Sequence, residues 1–211
     1  MKKKILVACL CVALAVLTIA GTTLAYLTSQ ETVTNTFTVG KVEIKLDEAK
    51  ANADGTLVPN ADRVKANSYK LIPGHTYNKD PMVTVLSGSE SSYIKMTVTF
   101  SKANELDAIF DPDGATLTTI FNGYDSNNWT YKGNTKNAAD NTRTYEFWYK
   151  EAVAAPDGNV ALDALFDSIT VPGEITNEQL ATIEGMTITV NAYAIQADGF
   201  ANAEAAWVAF K

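Results

Sequence analysis

The 211-residue chain is poor in the side chains that most enzymes and metal sites need. It has two cysteines, Cys9 and Cys11, and one histidine, His75. Both cysteines lie within the first 25 residues, so the chain beyond them can form no disulfide and has no thiol nucleophile. A lone histidine excludes a His-Glu-x-x-His zinc site and any two-histidine metal site. A Ser-His-Asp triad could use only His75, which follows Pro73-Gly74, and no Gly-x-Ser-x-Gly elbow is present. His75 therefore reads as a solvated turn residue. Basic residues are also scarce, 17 against 24 acidic, for a net charge of −7. Phosphate neutralisation needs a basic surface, so nucleic acid is not an expected partner. There is no glycine-rich phosphate loop, and no carboxylate pair stands out for glycoside chemistry. The stretch Asp111-Pro112-Asp113-Gly114 lacks the later ligands of a calcium loop and reads as a turn. The sequence assigns no catalytic residue, cofactor or metal site, and the expectation is a protein that is not an enzyme.

What is present begins at the N-terminus. Met1-Lys2-Lys3-Lys4 precedes an apolar run over 5–21 that only Thr18 interrupts, and Thr23-Leu24-Ala25 follows. A positive start, an apolar core and a small-residue exit describe a secretory signal peptide, with cleavage expected between Ala25 and Tyr26. The alternative is an uncleaved anchor, for which the run sits at the short limit. Leu6-Val7-Ala8-Cys9 has the form of a lipobox, but lipidation there would leave only residues 5–8 as the apolar stretch. The expected organisation is a signal peptide over 1–25 and a single domain over 26–211. Removing the leader leaves 14 basic against 24 acidic residues, about −10. A chain of the remaining length can bury a sufficient core without disulfides.

Period-2 alternation dominates the rest. Val33, Asn35, Phe37 and Val39 share one face, with threonines at 32, 34, 36 and 38 on the other. After Gly40 the phase flips, and Val42, Ile44 and Leu46 alternate with Lys41, Glu43 and Lys45. A glycine at such a flip indicates a bulge or a break between strands. Ile94, Met96, Val98 and Phe100 alternate with Tyr93, Lys95, Thr97 and Thr99, and Ile188, Val190, Ala192 and Ala194 with Thr187, Thr189, Asn191 and Tyr193. Residues 142–150 alternate aromatic and charged side chains, and 82–86, 117–121 and 129–132 are shorter candidate strands.

Four Asp-Gly pairs and Pro73-Gly74 mark turns. Short helices are expected over 102–110 with Ser101 as N-cap, over 176–183 with Thr176 and Gln179 in capping-box spacing, and over 202–210. Residues 47–67 read as a long polar surface loop. Asn128-Trp129-Thr130 matches a glycosylation sequon, which a bacterial-style leader makes unimportant. Trp129, Tyr131, Tyr145, Phe147, Trp148 and Tyr149 could line a sugar groove, but the simpler reading places them in a core and its rim. Many short strands with few helices predict an all-β fold, an antiparallel β-sandwich with short helical insertions.

The residues after the leader stand out. Tyr26 to Glu31 lead into an uncharged, proline-free, β-prone stretch over 32–39, which can pair with its own sheet or with the exposed sheet edge of another molecule. The candidate assembly residues are Thr32, Val33, Asn35, Phe37, Val39 and Gly40.

Several motifs in order resemble the TasA/camelysin family of secreted Gram-positive proteins, whose signals are cut by a SipW-type signal peptidase. They are Ala25-Tyr26-Leu27-Thr28, the run from Thr34 through Phe37 and Gly40 to Ile44, Leu71-Ile72-Pro73-Gly74, Lys79-Asp80-Pro81 and Ser89-Glu90-Ser91-Ser92-Tyr93. The tail Ile195-Gln196-Ala197-Asp198-Gly199-Phe200 with Ala206-Trp207 is similar too, whereas 101–185 match only in style. The resemblance implies a jelly-roll sandwich and a subunit of extracellular matrix or biofilm fibres. It also implies polymerisation in which the N-terminal strand, here 26–39, completes the sheet of the next subunit. The implied partner is the protein itself, with other matrix proteins a lesser expectation. A monomeric secreted module that binds carbohydrate or a matrix protein is the alternative. Some members carry a metalloendopeptidase label, which no zinc motif here supports.

Overall fold

The computed structural model describes residue 35, residues 39–110 and residues 117–210. Val39–Lys211 forms one compact unit and Met1–Thr38 another; only Asn35 of the latter is described, and it is exposed. Ten strands and four short helices follow in the described chain: β1 Ile44–Asp47, β2 Thr76–Asn78, β3 Met82–Val85, β4 Ser89–Ser101, α1 Ala103–Ile109, α2 Leu117–Ile120, β5 Trp129–Asn137, β6 Thr142–Tyr149, β7 Val153–Ala155, β8 Val160–Ala161, β9 Ser168–Thr170, α3 Asn177–Thr182, β10 Ile188–Gln196 and α4 Ala203–Ala209.

The alternating stretches become an antiparallel β-sandwich. The larger sheet has the order β10-β4-β6-β5, with β7 pairing the start of β4, and the smaller has the order β1-β3-β8. Because successive side chains point to opposite faces, Ile94, Met96, Val98 and Phe100 of β4 turn inward with Tyr145 and Phe147 of β6, opposite Val83 and Val85 of β3. Phe121, Leu165 and Phe166 close the same core. Ile188, Val190, Ala192 and Ala194 of β10 pack against it while remaining half-buried. A second cluster of Tyr77, Val171, Ile175 and Ile183 lies around the small β2/β9 sheet.

Five details depart from the sequence reading. Residues 117–121 form a turn of helix rather than a strand, closed by Phe121 N–H donating to Leu117 O at 2.8 Å; a five-residue apolar run carries too little periodicity to separate the two. Ser101 does not cap α1, since it ends β4 and Lys102 takes the cap position in a left-handed conformation without a side-chain bond. A distant residue supplies the cap: Asn141 accepts Ala103 N–H on its carbonyl and Asn104 N–H on Oδ1. The expected 129–132 strand continues to Asn137 across a register shift at Gly133. Residues 47–67 are no simple surface loop, because Asp47 and Glu48 are buried and bridges join Glu48 to Val64 and Ala51 to Leu57. The strands β2, β7, β8 and β9 were not anticipated. The Thr176 and Gln179 capping box forms as expected.

Candidate functional site

On one side of the sandwich β1 and β10 lie near each other without pairing. β10 pairs with β4 along its whole length, from Ile188 opposite Phe100 to Gln196 opposite Ser92. No described residue pairs with its other edge. β1 pairs only with β3 among the described strands. These two edges flank a groove of about 680 Å³ whose apolar walls come from Ile44, Leu46, Leu86, Ile188 and Val190. The β10 edge runs for nine residues without a charge, a proline or a glycine. Such an edge presents a row of main-chain donors and acceptors to any strand that arrives.

Beside the groove several charged side chains are paired. Arg63 Nη1 donates to Asp80 Oδ2 at 2.7 Å and its Nε to Asp47 Oδ1 at 2.5 Å, while Lys45 reaches Asp47 Oδ2 at 2.6 Å. Burial pushes the Asp47 carboxyl up, but the hydrogen bonds from Lys45 and Arg63 outweigh it and hold the group below its ordinary value. Beside it Lys79 Nζ donates to Glu48 Oε2 at 2.5 Å, with both side chains buried. The neighbouring Tyr69 hydroxyl is pushed up to about 12, chiefly by burial and next by the charge of Glu48.

Of the candidate assembly residues, Thr32, Val33 and Phe37 lie outside the described residues. Asn35 and Gly40 are exposed, and Val39 is 98% exposed. Thr23, Ala25 and Tyr26, the expected signal-cleavage residues, also lie outside the described residues. The chain enters the sandwich next to the start of β4, where Glu90 N–H donates to Lys41 O at 2.9 Å. After that point Val42, Ile44 and Leu46 are the more buried set and Lys41, Glu43 and Lys45 the exposed one, in the phase expected after Gly40.

A second cleft, of about 610 Å³, lies between α1, α3 and the end of the large sheet, walled by Phe100, Ile120, Tyr145, Ile169, Ile175 and Ile183. Two of its charged side chains are paired, since Asp107 Oδ2 accepts Lys136 Nζ and Arg143 Nη2 at 2.8 Å each. The six aromatics considered for a sugar groove do not converge on one. Trp129, Tyr145 and Phe147 are core, Tyr131 and Tyr149 pack against them, and Trp148 points to the other face. There it meets Trp207 of α4 at 6.3 Å, with Lys132 Nζ 4.1 Å above its ring. His75 is exposed beside Tyr77, with ring centroids 6.4 Å apart.

Among the described residues these features define a β-sandwich module in which the long outer edge of β10 is unpaired. Residues 1–65 match the family model described as camelysin metallo-endopeptidase. The match is a likeness to that family over 65 of the 211 residues, and it spans the lysine-led apolar run, the 32–39 stretch, β1 and Arg63. No curated protein and no solved structure matches. The family description implies a metal, but the described residues do not fit one: no group of three or more His, Cys, Asp or Glu is placed to hold an ion, and the acidic groups of the groove rim are taken by Lys45, Arg63 and Lys79. No helix among the described residues is long and apolar enough to cross a membrane.

Proposed function

We propose that this protein is a secreted structural subunit of an extracellular matrix or biofilm fibre. It assembles when residues 26–39 of one copy enter the β1/β10 groove of the next, after the signal is cut behind Ala25. The observation that carries the reading is the bare nine-residue edge of β10 beside an apolar groove. The lengths agree: at about 3.3 Å per residue, the eight residues of 32–39 span about 26 Å, close to the β10 edge. Main-chain hydrogen bonds supply affinity, and Val33, Phe37 and Val39 fill the groove. Each subunit is then both donor and acceptor, and such a head-to-tail contact propagates into a filament.

Deletion of 26–39 is the test. The truncated protein stays monomeric in light scattering and forms no filaments by negative-stain microscopy, while retaining its β-sheet circular dichroism. A peptide of residues 26–39 binds the truncated protein. Filaments from the truncated chain, or a full-length chain that stays monomeric at high concentration, contradict the reading. The protein is proposed not to be a peptidase, and chelator-sensitive cleavage of casein by the purified chain would overturn that part.

A further inference from the structure

Glu48, Asn67 and Lys79 come from separate stretches: the residue after β1, the excursion that follows it, and the residue after β2. They meet on one carboxylate. Lys79 Nζ donates to Glu48 Oε2 at 2.5 Å, and Asn67 Nδ2 donates to the other oxygen, Oε1, at 2.9 Å. Lys79 is 7% exposed and Glu48 6%, so the pair is largely removed from water. The Asn67 carboxamide is fixed from both ends. Its Nδ2 also donates to Ala49 O at 2.8 Å, and its Oδ1 accepts Ala51 N–H at 2.9 Å.

We propose that these residues form a covalent amide between Lys79 Nζ and Asn67 Cγ, with Glu48 carrying the protons. In the first step Lys79 Nζ passes a proton to Glu48 along the hydrogen bond that joins them, which leaves a neutral amine. The amine lone pair forms a bond to Asn67 Cγ. Charge develops on Oδ1, where the Ala51 N–H already points and stabilises it. Glu48 gives its proton to Nδ2, the Cγ–Nδ2 bond breaks, and ammonia leaves. The new nitrogen then loses its extra proton to Glu48, which ends as a carboxylic acid beside a neutral amide. Charge is conserved, since the ammonium and the carboxylate disappear together, and the step needs no oxidant, metal or cofactor. One carboxylate touching both the attacking amine and the leaving amide nitrogen is what a proton shuttle requires.

The link would fasten the 47–67 excursion to the segment between β2 and β3, beneath the groove. It is intramolecular and does not depend on assembly, so a chain that never polymerises still forms it. The test is mass spectrometry of the purified full chain, denatured and digested with trypsin. The expected result is a branched product in which 66–70 is joined to 71–95 through an uncleaved Lys79, lighter than the sum of the two free peptides by one ammonia. Glu48→Gln is expected to lose the branch. If that variant does not fold, Asn67→Ala serves as the second control, with the same expected loss. Recovery of free 66–70 together with complete cleavage at Lys79 in the wild-type chain overturns the proposal. So does a branch that persists when Glu48 is replaced by glutamine.

Discussion

The two edge strands of the large sheet, β5 and β10, are both nine residues long, yet they treat an approaching strand in opposite ways. β5 carries Lys132 and Lys136, and its register breaks at Gly133, where φ is +119°. Edge lysines and bulges are the means by which β-proteins avoid pairing with one another. Both lysines are also tied down, Lys132 to Glu204 of α4 and Lys136 to Asp107 of α1. β10 has none of these protections, and Ile188 and Val190 at its start line the groove shared with β1. Had the fold simply failed to cover its edges, both would be bare. Protection of one edge and, among the described residues, exposure of the other are what the proposed assembly requires.

The largest expected effect comes from giving β10 what β5 has. Val190→Lys places an ammonium where an incoming apolar side chain would sit; the long stem can reach the rim, so the subunit stays folded. Stranding that charge costs about 3 kcal/mol, a loss of assembly of roughly a hundredfold, read by light scattering. Next is Trp207→Ala. Trp207 is buried where α4 crosses the outer face of the sheet, against Phe210 at 5.4 Å and under Lys95 Nζ at 4.7 Å. Its loss should lower unfolding stability by about 3 kcal/mol in urea titration while leaving assembly intact, because the contact lies on the face and not on an edge.

Gly133→Ala tests the protected edge. A Cβ there meets nothing within 4 Å, so the cost is that of forcing alanine to a positive φ, about 1 kcal/mol, with no change in assembly. The smallest effect is on pH dependence. Asp47 and Asp107 titrate below their ordinary value of 3.8 in the folded chain, because the hydrogen bonds from Lys45 and Arg63, and from Lys136 and Arg143, outweigh burial. Their contribution is complete above 3.8 and is lost as pH falls through the lowered folded values. Thermal melts should therefore be flat from these two groups above pH 4 and fall below it. A decline between pH 7 and 5 attributable to either carboxyl would contradict this.

The core strands were legible because alternation is a local signal. The apolar inward set of β4, Ile94, Met96, Val98 and Phe100, is the predicted one, as is Ile188, Val190, Ala192 and Ala194 of β10, while the buried Ser89 and Ser92 of β4 were not foreseen. What was not legible is set by contacts distant in sequence. Asn141 caps α1 from across a hairpin, which no spacing around Ser101 reveals. Asp47 and Glu48 look like the start of a polar loop, and only the arrival of Arg63 and Lys79 makes their burial tolerable. The edge status of β10 depends on sheet order, so alternation identified the strand without its role. Lys79 entered the sequence reading only within Lys79-Asp80-Pro81, and its meeting with Asn67 on Glu48 had no sequence signal at all. The 32–39 stretch was singled out by its lack of charge, and Val39 at its end is exposed.

The most direct test of the central claim joins donor to acceptor covalently. A chain that begins at Tyr26, and so carries no cysteine of its own, is given both Phe37→Cys and Val190→Cys, oxidised under assembling conditions and run on a non-reducing denaturing gel. Strand exchange between copies predicts a ladder of disulfide-linked oligomers that collapses to monomer on reduction. A single monomer band, whether cross-linked within itself or not at all, would contradict the account.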